Sequence, residues 1–393
     1  MDLLITALLI VALFVLLGSG VWIGIALAGV AWIGMELFSS RPAGDAMAVT
    51  IWGSASSWTL TALPLFLWMG EILFRTKLSE DMFKGLAPWI NRLPGRLLHT
   101  NVIGCTIFAA VSGSSAATCA TIGKITLPEL KRRGYPDHMA VGTLAGAGTL
   151  GLLIPPSIIM IVYGVAANVS IAKLFIAGVL PGILLALVFM GYIVVWALRH
   201  PEEVPPAEAS TTLRQKIYAS RHLIPVVSLI GVVLGSIYSG LATATEAAAL
   251  GVGGSLVLAA IEGSLSWQSF RDGLTAATRV YCMIGLILAG AAFLTLAMGF
   301  IGLPRHLAEF IGALNLSPFL LMLLLVGFFI VLVVEMAQIT PPVGFNLFVL
   351  QGLTKRDIGS IARTAMPLFW LMVAFVLLLW FVPGIALWMP SHM

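Results

Sequence analysis

The sequence predicts an all-α polytopic membrane protein made of two inverted repeats, with a re-entrant hairpin and broken helices. Three observations carry that prediction. The first is composition: of 393 residues, 60% are hydrophobic and 10% charged, and the mean hydropathy is +1.04, against about 25% charge in a soluble domain. The second is a break, Ser112-Gly113-Ser114-Ser115, between apolar arms at roughly 97–111 and 116–130. Each arm falls short of the ~20 residues that a spanning helix needs. The pair is therefore expected to enter and leave on one side, with a tip whose backbone is tolerated at membrane depth only inside protein or against a wet cavity. The third is a repeated double proline, LLIPPSIIMIVYG at 152–164 and QITPPVGFNLFVL at 338–350. Proline removes a backbone donor and frees a carbonyl one turn back, so it interrupts a helix.

Composition also excludes classes of protein. No soluble domain can be carved from the chain. The start, MDLLITALLIVALFVLLGSG, lacks a basic leading region and a small-residue cleavage site, so a retained helix is expected. The net charge of +4 is attributed to loop placement, and no nucleic-acid partner is expected. Cys105, Cys119 and Cys282 lie in apolar helices without paired spacing and are expected to pack rather than to bridge or bind metal.

In chain order, residues 3–17 and 21–38 are expected to be helices joined at Gly18-Ser19-Gly20, followed by a polar loop to about Ser57 and a span over 58–75. Residues 79–93 mix Met82, Phe83, Leu86, Trp89 and Ile90 with charges, as an interfacial amphipathic helix does. The hairpin comes next, then a helix over 139–169 broken by Gly148, Gly151 and Pro155-Pro156-Ser157, and a span over 171–198. A polar loop is expected at 199–221, spans at 222–240 and 244–262, a short amphipathic stretch at 266–278, and a span at 279–300. Residues 304–316 read as interfacial, 318–353 as apolar but interrupted at Thr340-Pro341-Pro342, and 363–388 as the last span.

Charge sets the orientation. With the N-terminus outside, 18 of the 21 basic residues fall on the cytoplasmic side, and only Arg41, Lys173 and Arg305 fall outside. Cytoplasmic loops carry the excess of Lys and Arg, so both termini are expected to be periplasmic.

The repeat is weak but ordered. Asn91-Arg92-Leu93-Pro94 matches Asn315-Leu316-Ser317-Pro318, and the double prolines follow in each half. The first repeat is assigned to 1–198, a cytoplasmic linker to 199–221 and the second repeat to 222–393. Inverted repeats are the layout of many secondary transporters, with the site at their interface. One element is missing. Pro94 to Pro155 spans 61 positions and Pro318 to Pro341 spans 23, and 61 less 23 leaves a shortfall of 38. It falls where the second repeat needs a counterpart of Ser112–Arg133, and the join is placed near Phe328-Phe329-Ile330-Val331, within 328–334.

With these residues located, the chain resembles the large membrane subunit (DctM-like) of tripartite ATP-independent periplasmic (TRAP) transporters. The resemblance rests on AVSGSSAATCATIGKITLPELKRRGY, LGLLIPPSIIMIVYG, PGILLAL, GLATATEAAALG and ITPPVGFNLFVLQGLT, and extends over nearly the whole chain. It implies an elevator-type carrier of the bacterial inner membrane with Na+ as coupling ion. It implies two partners, a small membrane subunit and a periplasmic binding protein that delivers an organic acid. The departure is the missing second hairpin.

The expected ion and substrate site follows. Ser112, Gly113, Ser114 and Ser115 break an apolar element, and the half-helix after them presents an N-terminus that favours anions while freed carbonyls favour Na+. Gly151, Pro155, Pro156 and Ser157 form the first break, and Thr340, Pro341, Pro342 and Asn346 the second. Ser112, Ser114 and Thr340 are the Na+ candidates, since sodium takes hard oxygen ligands. Glu246 and Glu335 are the candidate carboxylates, although Glu246, after Ala242-Thr243-Ala244-Thr245, also stands near a helix start where it could serve as a first-turn carboxylate. Two alternatives stand beside sodium-coupled uptake of a carboxylate. One is a non-transporting truncated form that only assembles with partner subunits. The other is an intramembrane hydrolase using Ser114, disfavoured because a serine nucleophile needs a base in reach and all six histidines lie at loops or span ends.

Overall fold

A computed structural model of the chain describes residues 2–206, 212–317, 320–321, 338–340 and 344–392. The join near 328–334, Glu335, Pro341 and Pro342 lie outside the described residues. The described residues are helical, with no strand among them. Among the described residues, six helices are long and apolar enough to cross a membrane, or seven if one bent pair counts as a single span.

The first helices form a layer with a long helix from the second half. α1 (Asp2–Gly18) turns at Gly20, which has φ +82°, into α2 (Ile23–Phe38). α2 runs along α14 (Trp267–Ile301), a single helix of 35 residues. The expected division into an amphipathic stretch at 266–278 and a span at 279–300 is thus corrected. Ser266 and Ser269 cap the start reciprocally, and no Pro or αL residue interrupts the helix before Gly302. The two helices meet at their backbones: a β-carbon on Gly290 would lie 2.3 Å from the Gly24 carbonyl oxygen. Small residues permit this approach, which is how helices associate where lipid removes the hydrophobic drive.

The polar loop expected before Ser57 is also corrected. Residues Ala43–Ala55 form α3, with Asp45 in its first turn. Ala43 is buried in a small cluster with Ala31, Met35, Phe293 and Ala297, so tertiary packing supports a helix whose sequence reads as loop. α3 meets the Trp58–Phe74 segment, which contains α4 (Ala62–Phe74), at a 54° bend.

α5 (Leu78–Ile90) is the expected amphipathic helix, but protein covers its apolar stripe. Met82, Leu86 and Ile90, spaced one turn apart, are all buried. α5 packs on α6 and on α11 (Leu213–Ser220), and the Trp89 indole N–H donates to Ser220 Oγ at 2.8 Å. α11 corrects the remaining polar loop: Thr212 and Gln215 form a reciprocal capping box, and α12 (Ile224–Tyr238) follows almost without interruption.

The centre of the bundle is the hairpin, α6 (His99–Ser112) and α7 (Ser115–Arg132), with the broken helix α8 (Asp137–Leu153) and α9 (Ile158–Ala166). At 1.5 Å per residue, the 14 residues of α6 span ~21 Å, short of a ~30 Å hydrocarbon core. Every residue of α8 from Met139 to Leu152 is buried. Its small residues set the packing distances: a β-carbon on Gly142 would strike the Thr364 carbonyl, and one on Gly146 the Leu368 side chain. Both partners belong to α17 (Ile358–Phe381), which begins earlier than the 363–388 span expected because Asp357 caps it. α10 (Ile171–Arg199), α13 (Ala244–Ile261), α15 (Leu303–Ala313) and α16 (Phe345–Thr354) complete the described helices used below.

Candidate functional site

The hairpin tip is built by a change of backbone hand. α6 ends at Ser112, and Gly113 follows with φ +60°, where a side chain is strained. Ser114 is extended and caps α7, its Oγ accepting from the Ala117 N–H at 3.4 Å. Ser112 Oγ and Thr118 Oγ1 share a 2.7 Å hydrogen bond across the turn. Ser112, Ser115 and Thr118 are all buried.

The first break packs directly against this tip. Pro155, Pro156 and Ser157 are buried between α8 and α9. Ser157 Oγ donates to the Leu152 carbonyl at 2.6 Å, so the side chain takes up one of the carbonyls that the prolines free. The Ile158 N–H, at the start of α9, donates to the Gly113 carbonyl at 3.2 Å. Gly151 lies under Ser114, and a β-carbon there would stand 2.7 Å from the Ser114 carbonyl carbon and oxygen.

The second half reaches the same point through Asn346. Its side chain is fully buried in the first turn of α16. Ser115 Oγ donates to Asn346 Oδ1 at 2.8 Å, and Asn346 Nδ2 donates to the Ala145 carbonyl at 3.3 Å. Gly148 makes room for this amide, since a β-carbon there would be 2.9 Å from Asn346 Nδ2. Three helix N-termini, those of α7, α9 and α16, therefore meet around the Ser112–Ser115 turn. Each carries roughly +0.5 of an elementary charge, and helix N-termini suit an anion. The surrounding oxygens of Ser112, Ser115, Thr118 and Asn346 are neutral and hard, a donor set that fits a monovalent cation such as sodium.

The other described candidates have the following partners. Thr340 accepts at its carbonyl from the Gly344 N–H at 2.9 Å, just before α16. Glu246 is exposed at the start of α13, where it forms a capping box: its carboxylate accepts from the Thr243 N–H and Oγ1, each at 2.8 Å. α13 packs on α4 and α12. Glu71 pairs with Arg75 at 3.3 Å. Thr118 and Ala145 belong to the site although sequence reasoning did not single them out, whereas Gly148 was expected only as part of the helix break. The small-residue run GTLAGAGTLG at 142–151 was the available signal.

Comparison with known proteins assigns the class. The family described as "Tripartite ATP-independent periplasmic transporter, DctM component" matches residues 10–327 and 324–385. The chain belongs to this family, the large permease subunits of TRAP transporters, which are transporter permeases and not enzymes. Among its relatives, the C4-dicarboxylate TRAP transporter large permease protein DctM of Pseudomonas aeruginosa is 30% identical over 88% of this chain and 89% of its own length. The isethionate TRAP transporter permease protein DctMQ of Oleidesulfovibrio alaskensis is 32% identical over 95% of this chain, which covers 64% of that protein. The ectoine/5-hydroxyectoine TRAP transporter large permease protein UehC of Ruegeria pomeroyi is 28% identical over 98% of both.

The same alignments bear on the shortfall. The family match is split, and its two pieces meet at 324–327. The alignment to UehC has 426 positions but takes in 98% of 393 residues, about 385, which leaves about 41 without a residue of this chain. For the Pseudomonas relative, 88% of 393 is about 346 against 383 positions, leaving about 37. Both values lie close to the 38 positions derived from the internal repeat.

Proposed function

We propose that this chain is the large permease of a sodium-coupled secondary uptake system for a small organic acid. It works in the bacterial inner membrane as a multi-pass protein with both termini periplasmic. A periplasmic binding protein delivers the acid, and a small membrane subunit completes the complex. The observation that carries this reading is the meeting of the α7, α9 and α16 N-termini at a turn rich in neutral oxygens. Helix ends attract the carboxylate, and hydroxyl, amide and carbonyl oxygens offer ligands to Na+. The relatives named above are named for C4-dicarboxylates, isethionate and ectoine, so the substrate class proposed is a small acid, with no single compound assigned. The division into repeats at 1–198 and 222–393, joined by 199–221, and an elevator movement of the hairpin-bearing part belong to the same proposal. So does a second hairpin of about 38 residues at 328–334 in the working subunit, entering from the periplasmic side.

The test is uptake in proteoliposomes that hold the permease with its second hairpin, the small subunit and the binding protein. Uptake is expected to require an inward Na+ gradient, to proceed without ATP and to stop when the binding protein is left out. Equal uptake in Na+-free buffer, or uptake driven by ATP hydrolysis, contradicts the proposal. A second reading, assembly with the partners without transport, is favoured by one observation, the split of the family match at 324–327. It predicts a stable complex that takes up nothing.

A further inference from the structure

The two helices that meet at the tip through Ser115 and Asn346 stay in contact as far as Gly123 and Leu353, where a β-carbon on Gly123 would lie 2.9 Å from Leu353 Cδ1. α7 runs 16 residues from Ser115 to Lys131, and α16 runs eight from Asn346 to Thr354, or ~24 Å and ~12 Å at 1.5 Å per residue. Between those far ends and the start of α8 lies a cavity of about 470 Å³, within the ~300–1,000 Å³ range of small-ligand sites. Gly123 of α7 and Leu353 of α16 line it, so the same two helices form walls of the tip site and of this cavity.

Its charge is unbalanced. Lys124, Lys131 and Arg356 line the cavity against one carboxylate, Asp137. Lys124 and Lys131 stand two turns apart on α7, and the Lys124 ammonium lies 4.8 Å above the Phe74 ring. Asp137, in the first turn of α8, accepts from an Arg356 guanidinium nitrogen at 2.5 Å. The two side chains are 38% and 41% exposed. A pair so open to solvent contributes little to stability and is cheap to exchange. Guanidinium is also the side chain best matched to a carboxylate or phosphate, because its planar fork donates two parallel hydrogen bonds.

We propose that this cavity is a second anion site, in which Arg356 exchanges Asp137 for an incoming oxyanion while Lys124 and Lys131 hold the added charge. On the proposed function, which this inference deepens, it is a station for the carboxylate beyond the tip, at the end of the bundle that carries Lys131, Arg132 and Arg133. An anionic lipid headgroup has the same chemistry, and the test separates the two sources. An exchange site makes an unusual demand on its variants. Asp137→Asn removes the competitor and strengthens anion binding, whereas Arg356→Gln removes the clamp and weakens it. A merely structural ion pair would lose in both.

The experiment uses the 393-residue chain in nanodiscs, with Leu353→Cys as reporter in a Cys282→Ser background, since the other two cysteines are buried. Maleimide labelling of position 353 is followed with succinate or inorganic phosphate as probe, at constant ionic strength set with chloride. In phosphatidylcholine discs, both probes are expected to slow labelling at least fivefold. Asp137→Asn is expected to lower the half-protecting concentration about tenfold, and Arg356→Gln to raise it about tenfold. Slow labelling in phosphatidylglycerol discs without any soluble probe, reversed by Arg356→Gln, assigns the site to a headgroup and also upholds it. Unchanged labelling under all anions, or both variants shifting in the same direction, overturns the proposal. Protection does not depend on Na+ coupling. Intact protection with Na+-independent uptake would refute the carrier reading alone, and Na+-driven uptake without protection would refute this site alone.

Discussion

Gly151→Val is expected to abolish uptake, lowering it about 100-fold, while the protein still inserts and assembles. A β-carbon at this position would stand 2.7 Å from the carbonyl of Ser114. The obstruction is backbone, so no side-chain end can swing aside and the tip itself must move. Overpacking costs about 1–3 kcal/mol, which a large bundle survives. A site assembled from hydrogen bonds of 2.7–3.3 Å tolerates displacement less well, since an error of about 1 Å in positioning reacting groups can cost about 100-fold. Gly191→Val, on the open side of α10 where a β-carbon meets nothing within 4 Å, serves as control and should transport normally. The measurement is Na+-driven uptake of the reconstituted complex carrying the second hairpin, alongside its yield after size-exclusion chromatography. Normal uptake by Gly151→Val would remove the tip and first break from the site.

The second large effect concerns the second repeat. Inserting into 328–334 the corresponding segment of a relative such as UehC, about 38 residues by the repeat spacing, is expected to raise uptake from background to at least tenfold above it. The physical reason is closure. On the proposed function, one hairpin tip and one broken helix supply half of a two-sided cage, and irregular backbone at membrane depth needs protein or a wet cavity beside it. Equal uptake by the 393-residue chain and the extended one would show that the first hairpin suffices.

Much of this arrangement was legible in the residues. The Gly/Ser run at 112–115 announced a turn, and Gly113 supplies the positive φ that such a turn needs. The double proline at 155–156 announced a break, and the capping pattern Thr243-x-x-Glu246 was visible as a helix start. What spacing could not reveal was which distant pieces touch. Ser115 and Asn346 are 231 positions apart, and no periodicity in either segment points at the other. α3 was missed for a related reason: its Gly, Asp and Ser residues read as loop, and the helix rests on packing against α2 and α14. α14 was divided because 266–278 read as a short amphipathic stretch, whereas the structure continues that stretch into the apolar part as one helix.

The contact between Gly24 and Gly290 also has a consequence during synthesis. The two glycines are 266 positions apart, yet their backbones touch. At a translation rate of about 5–20 residues per second, α2 waits roughly 13–53 s for its partner to leave the ribosome. Over that interval the stripe of Gly24, Ala31 and Met35 faces lipid or whatever insertion factor attends the nascent chain. Pairing of α2 with α14 is therefore a late step of biogenesis, although α2 is among the first segments made. A chain halted before Trp267 would present that stripe uncovered to the cell's membrane quality control.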